Sequence, residues 1–421
     1  MKHRIKILTA LMGFFCVLTL SMTVDAKSTV NPEPAIYAKS AIAVDADSGQ
    51  ILYQKNANQP RAIASISKLM TVYIVHQQIK ANKLSWDDKV KISAELAKLS
   101  TASGLTNVTL TAGKAYSVRQ LVNATLVESA NAAALALGQK VAGTATKFAA
   151  LMNKTARKIG ISNGRFYNAS GLTNKLTGKL ALPHVSANAE NLLSAKDVAL
   201  LAQKLLQKFP RVTNITKQTT STFYGTTMTG HNQLIDDHNL GQGVRVDGLK
   251  TGTSDKAGAC FVGSATTNGK HRIITVVLGA RNKSASDPAR FIQTAKLMKW
   301  VYATHQPIKL AVGATIAGVG KAKIPDGKQT TILPVIKTTH WAWADKGTFA
   351  KQISGQYVNQ PAKLTSPTKK GTEVGQARLS IDGKRLQYIG HSAGKLVMVT
   401  NQSVKKANFF VRLWRAILRL F

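Results

Sequence analysis

Ser65-Ile-Ser-Lys68, Ser129-Ala-Asn131 and Lys250-Thr-Gly252 follow one another along the chain, and each offers a different component of acyl-transfer chemistry. A serine with an amine three residues on pairs a nucleophile with a base. A hydroxyl and an amide two residues apart can relay a proton and hold a peptide group, and a cation beside a hydroxyl on a strand edge can receive an anion. Singly, the first two patterns are weak: Ser-x-x-Lys recurs at Ser366–Lys369 and Ser392–Lys395, and Ser-x-Asn at Ser186–Asn188. Lys-Thr-Gly occurs once, inside Val246-Asp-Gly-Leu-Lys-Thr-Gly-Thr-Ser-Asp-Lys-Ala-Gly258. That longer string, in order with the other two, carries most of the specificity.

A serine hydroxyl is a poor nucleophile until a neighbouring base takes its proton. If Ser65 opens the helix that carries Lys68, the spacing of three places the amine one turn along on the same face. To accept the proton the amine must be neutral, which calls for burial and a second cation close by, and Lys250 is the candidate cation. Ser129 and Asn131 are expected at a loop or helix start. There the hydroxyl can pass a proton to a leaving amine and the amide can hold a substrate peptide group. Simple capping of a helix is the structural alternative for Ser129. Lys250, Thr251 and Thr253 along a strand edge would aim one ammonium and two hydroxyls at an anion, which selects a substrate ending in a free carboxylate. Gly252 would let that substrate approach the strand, and the backbone N–H groups of Ser65 and Thr253 are the expected oxyanion donors.

The elements that must position these groups are legible in outline. Residues 41–45 and 50–53 flank Asp47-Ser-Gly49 and read as a first hairpin. Residues 259–265 and 272–278 read as a second, joined through Asn268-Gly269. Between them the pattern is helical over 68–78, 118–136, 145–159 and 198–207, the last entered through Ser194-Ala-Lys-Asp197. Strands at both ends with helices between them predict an α/β (α+β) fold: an antiparallel sheet whose first and last strands meet, flanked by helices. Asp287-Pro288 opens a last helix to about residue 302. From about 307 to 400 the texture changes to short β-like runs, among them 331–336, 341–343 and 395–399, which predict a smaller all-β domain. The expected organisation is therefore a catalytic domain over 35–305, a β-rich domain over 307–400 and a terminal helix over 405–421.

At 421 residues the chain is long enough for two or three domains. Lys2, Arg4 and Lys6, an apolar run from Ile7 to Val24 and the small-residue pattern Val24-Asp-Ala26 read as an export signal over residues 1–26. A retained membrane helix is the alternative, since a run of about 18 residues is the lower limit for a span. Cys16 falls within the signal and Phe15 before it is too bulky for a lipoprotein site, so Cys260 would be alone after processing, a buried small hydrophobe. The net charge of +38, or +36 without the first 26 residues, seeks polyanions. No finger, basic zipper or aromatic nucleic-acid platform accompanies it, so anionic lipid headgroups and anionic wall polymers are the expected partners and nucleic acid is not. The nine histidines lack metal-ligand spacing, and His231 and His238 around Asp236-Asp237 have no second cluster. They read as a solvated loop, with no metal or cofactor expected. At the C-terminus Arg412, Arg415 and Arg419 fall on one side of a helical wheel, opposite Phe410, Leu413, Trp414, Ile417, Leu418 and Phe421. No acidic residue follows Asp382 and Lys405-Lys406 precedes the helix, so the pattern reads as an anchor lying in the membrane plane, with a core-packing helix as the alternative.

The three motifs in this order resemble the penicillin-binding protein and serine β-lactamase superfamily. Ile63-Ala-Ser-Ile-Ser-Lys-Leu-Met-Thr71, Val246-Asp-Gly-Leu-Lys-Thr-Gly-Thr253, Asp255-Lys-Ala-Gly258 and Ser194-Ala-Lys-Asp197 narrow the resemblance to the low-molecular-mass penicillin-binding proteins that are serine-type D-alanyl-D-alanine carboxypeptidases of the peptidase S11 kind. The likeness covers essentially the whole chain after the signal. It implies a Ser65 acyl-enzyme, Lys68 as proton acceptor, assistance from Ser129 and substrate binding by Lys250. It also implies removal of the terminal D-alanine from peptidoglycan pentapeptide stems on the outer face of the cell membrane, with β-lactams as covalent inhibitors. The acyl-enzyme is common to carboxypeptidases, transpeptidases and endopeptidases, which differ only in acceptor. Two rivals remain. A class A-like β-lactamase would use Glu190 for deacylation, since Glu190-Asn-Leu-Leu-Ser194 resembles Glu-x-x-Leu-Asn with Ser194 in place of asparagine. A non-catalytic wall-polymer-binding protein would keep the fold and use only the basic surface.

Overall fold

The structure, a computed structural model, describes residues 32–284, 287–390 and 394–418. The expected export signal over residues 1–26 lies outside the described residues, as do Arg419 and Phe421 of the C-terminal pattern. A run of small and β-branched residues forms β1 (Ala38–Asp45), which turns back into β2 (Ile51–Lys55) with Gly49 supplying a φ of 76°. A long helical stretch follows: α1 (Lys68–Lys80), α2 (Ala94–Ser100), α3 (Val118–Leu126), α4 (Asn131–Ala142), α5 (Ala145–Lys158), α6 (Ala195–Lys208) and the short α7 (Thr213–Thr216). The chain then returns to the sheet as β3 (Val244–Ser254), β4 (Gly258–Thr267) and β5 (Lys270–Ala280). Asn268 and Gly269 take successive positive φ values of 50° and 69°, which the two-residue turn between β4 and β5 requires.

The strand order is β2-β1-β5-β4-β3 with every neighbour antiparallel, so the first and last strands meet in register from Ala38↔Ala280 to Asp45↔Ile273. Both faces of the sheet are covered, which explains why β1 is buried almost throughout rather than on alternate residues. Ile42, Val44, Cys260, Val262, Ile274 and Val276 join the apolar cluster under α1, α3, α4 and α6. Ala41, Ala43, Phe261, Ile273 and Val277 face the other way, onto α8 (Ala289–Thr304). That helix begins where expected: Pro288 precedes it, and Asp287 Oδ1 accepts a hydrogen bond from Ala289 N (3.0 Å).

One expected helix is broken. The pattern from Val118 to Ala136 splits between α3 and α4, where Ser129 adopts a left-handed φ of 65°. The start of α4 leaves N–H groups without intrahelical partners. They are met from outside: Asn131 N donates to Thr106 O (3.0 Å) and Ala132 N to Asn107 Oδ1 (2.8 Å). At α6 the motif Ser194-Ala-Lys-Asp197 is a capping box, Ser194 Oγ accepting from Asp197 N (3.1 Å) and Asp197 Oδ2 accepting from Ser194 N (3.2 Å).

Beyond α8 the described chain is almost entirely β: β6 (His305–Leu310), β7 (Pro334–Ile336), β8 (His340–Asp345), β9 (Ile353–Tyr357), β10 (Glu373–Ile381) and β11 (Lys395–Thr400). β6 pairs with β8, and a second sheet runs β7-β11-β10-β9 around its own apolar cluster of Ile336, Ala377, Leu379, Leu396 and Met398. Trp343 joins the two parts. Its indole N–H donates to Asp45 Oδ1 (3.0 Å), and its backbone exchanges hydrogen bonds with the Gln50 amide (2.9 and 2.7 Å). The last described helix is α9 (Phe409–Ile417), none of whose residues is buried. Arg415 turns inward, donating to Gly327 O (2.8 Å), while Phe410 and Trp414 are 78% and 61% exposed. The core-packing alternative for this helix is therefore not what forms. Among the described residues no helix is long and apolar enough to cross a membrane.

Candidate active site

Two backbone segments fix the site. Residues Ala64–Ser67 form a 3-10 turn that runs directly into α1, so Ser65 precedes the helix proper and Lys68 is its first residue. Against this turn lies β3, the edge strand of the sheet. A side chain at Gly252 would sit 2.6 Å from Ile63 O and 3.2 Å from Ile66 N. Gly252 was expected to admit substrate; its stronger constraint is internal, since only glycine lets β3 approach the turn that carries Ser65. The Gly252 carbonyl accepts from Arg290 Nη1 on α8 (3.0 Å).

Lys68 is fully buried. Its Nζ lies 2.8 Å from Ser65 Oγ, 2.7 Å from Asn131 Oδ1 and 3.0 Å from Ser170 O. All three neighbours are uncharged. Burial first, and the nearby Lys250 ammonium second, hold the amine well below its ordinary pKa of 10.5. A neutral amine donates two hydrogen bonds and accepts one. Asn131 Oδ1 and Ser170 O accept from two of its N–H groups, so once the third proton is lost the nitrogen lone pair is free to accept from the Ser65 hydroxyl.

The helix break supplies the second motif. Because Ser129 is left-handed and precedes α4, it does not cap that helix, whose N-cap is Ala130 with no side-chain cap. Asn131 is held at both ends of its amide, Oδ1 on Lys68 Nζ and Nδ2 donating to Thr106 O (3.0 Å). The Ser170 carbonyl is held as firmly. Asn168 Oδ1 accepts from Ser170 N (3.1 Å), Ser170 Oγ (2.9 Å) and Gly171 N (2.8 Å), and Asn191 Nδ2 ties down Asn168 O (2.8 Å).

Lys250 is buried on β3, with its Nζ 3.2 Å from Thr251 O. Burial and Arg290 lower its pKa to about 7, against an upward pull from Glu128. Thr251, Gly252 and Thr253 line a cleft of about 740 Å³ together with Ser65, Ser129, His231 and Arg290. The eight residues expected from the motifs thus converge on one place: Ser65, Lys68, Ser129 and Asn131 on one wall, Lys250, Thr251, Gly252 and Thr253 on the other. The Lys250 amine and two hydroxyls on the second wall face a serine with the buried Lys68 amine beside it on the first, an arrangement able to hold an anion-ended acyl donor for attack.

Some contributors carried no sequence signal. Ser170 acts through a backbone carbonyl, which any residue has. Glu128 Oε2 accepts from Thr229 N (2.9 Å) and its carbonyl is contacted by His231 Nε2 (3.1 Å), so His231, exposed in a loop as expected, also lines the cleft. Desolvation and then Lys250 push the His231 pKa down. Arg290 could have been suspected only from its position just inside a helix opened by Asp287-Pro288. Glu190, weighed for a deacylating role, instead accepts from Ser254 Oγ (2.7 Å) and makes no hydrogen bond to Ser65 or Lys68 among the described residues. Cys260 is buried in β4 as expected, its thiol pushed up to about 11 by burial. Among the described residues no group of His, Cys, Asp and Glu could hold a metal ion.

A family profile described as D-alanyl-D-alanine carboxypeptidase (peptidase S11) matches residues 26–282. The chain is 30% identical over 408 residues to D-alanyl-D-alanine carboxypeptidase DacC of Escherichia coli, covering 92% of this chain and 89% of that protein. Among solved structures, a peptidoglycan synthesis regulatory factor (PBP3) from Streptococcus pneumoniae superposes with a TM-score of 0.73 at 36% identity, over 88% of this chain and 100% of that one. Penicillin-binding protein D2 from Listeria monocytogenes in its ampicillin-bound form matches at 35% identity with a TM-score of 0.53, over 64% of this chain and 98% of that one.

Proposed function

Because the chain belongs to the D-alanyl-D-alanine carboxypeptidase family, we propose that Ser65 is its nucleophile and that it removes the terminal D-alanine from peptidoglycan pentapeptide stems. The observation that carries this is the buried Lys68 amine, 2.8 Å from Ser65 Oγ and surrounded by uncharged acceptors. Lys68 Nζ takes the Ser65 proton as Oγ attacks the penultimate D-alanine carbonyl. The backbone N–H groups of Ser65 and Thr253 receive the oxyanion. The proton taken by Lys68 is handed on through the Ser129 hydroxyl to the departing D-alanine amine, and water then hydrolyses the Ser65 ester, returning a proton to Ser65 Oγ. Asn131 holds both Lys68 and the substrate amide, while Lys250, Thr251 and Thr253 receive the terminal carboxylate across the close approach that Gly252 permits. A β-lactam presents a strained amide beside a carboxylate to the same groups, so penicillins acylate Ser65 covalently. The neutral partners of Lys68 and the engagement of Glu190 with Ser254 favour this reading over a Glu190-dependent β-lactamase.

The wider organisation follows the same reading. Residues 1–26 export the protein, residues 35–305 form the catalytic domain and residues 307–400 a β-rich domain with its own apolar cluster. The helix over 405–421 holds the enzyme on the outer face of the cell membrane, an assignment supported by the aromatic face that α9 turns to solvent and by the basic charge of the chain. That charge also suits anionic wall polymers. The test is mass analysis of a pentapeptide ending in D-Ala-D-Ala after incubation with wild type and with Ser65→Ala. Loss of one D-alanine with wild type alone supports the proposal; loss with both, or with neither, refutes it.

A further inference from the structure

The acyl-transfer cleft uses β3, one edge of the main sheet. The other edge, β2, is extended by residues 386–390: Ile51 N donates to Gln387 O (2.8 Å) and Ile389 N to Gly49 O (2.9 Å). Where this segment meets the first turn of α6 and the strand β10, a cleft of about 340 Å³ opens, lined by Lys196, Arg378, Arg385 and Tyr388. No Asp or Glu lines it. The described structure gives none of the three cations an ion pair. Arg378 is half-buried, and its Nε is shut away from water without a hydrogen-bond partner; the Tyr388 hydroxyl is in the same condition. A guanidinium that has given up part of its hydration without gaining a carboxylate is held at a cost, which an anion in the cleft would offset.

The recess does not end there. Gly390 also lines a second cleft, of about 500 Å³, whose walls carry Lys158, Lys204 and Lys208 with Asp47 as the single carboxylate. Six cations therefore face two adjoining recesses beside β2, at the sheet edge opposite the one that borders Ser65. Arginine forks match phosphate oxygens in pairs, and lysines supply point charges along a flexible chain. We propose that these adjoining clefts are a binding track for a linear phosphodiester polymer. Cations lining a concave seam, with Lys196, Lys204 and Arg378 half-buried in it, suit a thread-like polyanion better than a flat bilayer. Lying on the opposite sheet edge from the acyl-transfer cleft, the track can hold its polymer while a peptide stem occupies the site. The inference rests on the reading that the basic chain meets anionic wall polymers, and it locates that contact.

The test measures binding of fluorescently labelled poly(glycerol phosphate) to the full chain at about 0.15 M salt, where loose surface attraction is screened over roughly 8 Å. Lys196→Gln/Arg378→Gln/Arg385→Gln is compared with Lys309→Gln/Lys337→Gln/Lys363→Gln, which removes the same charge from exposed sites outside both clefts. The track predicts a loss of at least about tenfold in affinity for the first triple variant and less than about threefold for the second, as expected for charge-assisted contacts against a screened surface charge. Penicillin acylation at the wild-type rate shows that each variant is folded. Should Arg378→Gln disturb folding, Lys196→Gln/Arg385→Gln gives the same comparison with Arg378 intact. Equal losses in both triples would overturn the track while leaving polymer binding standing. No polymer binding by wild type would overturn the underlying reading as well. If the first triple instead loses binding to phosphatidylglycerol vesicles and keeps binding to polymer, the surface is a membrane contact and the proposal fails.

Discussion

Gly171 offers the sharpest test of how the site is assembled. It sits at a φ of 88° immediately after Ser170, and a side chain there would overlap the Ala64 carbonyl and lie 2.8 Å from Ser67 Oγ. Gly347 has nearly the same φ, 90°, but open space around its missing side chain. Alanine at either position carries the left-handed penalty of about 1–2 kcal/mol. At Gly171 alone it must also force the Asn168–Leu172 loop away from the turn by more than about 1 Å to restore ordinary contacts, an overpacking cost of about 1–3 kcal/mol. Gly171→Ala is therefore expected to lose about 2–5 kcal/mol in urea unfolding and Gly347→Ala about 1–2. Because the overlapped carbonyl belongs to the residue before Ser65, and Ser170 O holds Lys68, acylation by penicillin should fall roughly a hundredfold in Gly171→Ala. Gly347→Ala should acylate at the wild-type rate. Equal stability loss in the two variants, with acylation unchanged in Gly171→Ala, would refute the reasoning.

Other consequences are open to direct measurement. Lys250 titrates near 7 in the folded protein and near 10.5 when unfolded, so the unfolded chain binds more protons between those values. Stability should then rise with pH across that window, and Lys250→Met should flatten the rise in thermal unfolding; identical slopes would contradict the assignment. Acylation should increase with pH as Lys68 loses its proton, with an apparent pKa well under 10.5. Asn168→Ala should slow acylation and shift that profile by releasing the Ser170 carbonyl, while Asn168→Asp, which keeps the acceptor for Ser170 and Gly171, should recover part of the rate. Unchanged pH profiles in both variants would remove Asn168 from the positioning of Lys68. Deleting residues 408–421 should abolish binding to anionic vesicles without changing soluble turnover, and persistent vesicle binding would rule out α9 as the anchor.

Much of this arrangement was legible because it rests on side-chain identity and local period. Asn268-Gly269 announces its hairpin, Ser194 and Asp197 cap α6 as their spacing suggests, and Lys250-Thr-Gly252 falls on an edge strand. The break at Ser129 was not legible, since the alanine-rich run from 130 to 136 continues a helical period and the interruption is held by Thr106 and Asn107 from a distant loop. Ser170 is illegible for a related reason: its contribution is a carbonyl aimed by Asn168 and Asn191, and no residue type encodes that. At Gly252 the sequence suggests substrate approach, while the nearer constraint is the turn at Ile63. His231 is exposed in a loop as expected, and what the sequence does not signal is its tether to the Glu128 backbone, which lies far away in sequence.

The central claim is that Ser65, activated by Lys68, becomes the ester. Peptide mapping by mass spectrometry after brief exposure to penicillin, on wild type, Ser65→Ala and Lys68→Ala, tests it most directly. The account predicts a single adduct on the peptide containing Ser65, absent from Ser65→Ala and formed at least about a hundredfold more slowly in Lys68→Ala, the scale of a lost general base. An adduct on Ser129, or acylation of Ser65 at the wild-type rate without Lys68, would contradict it.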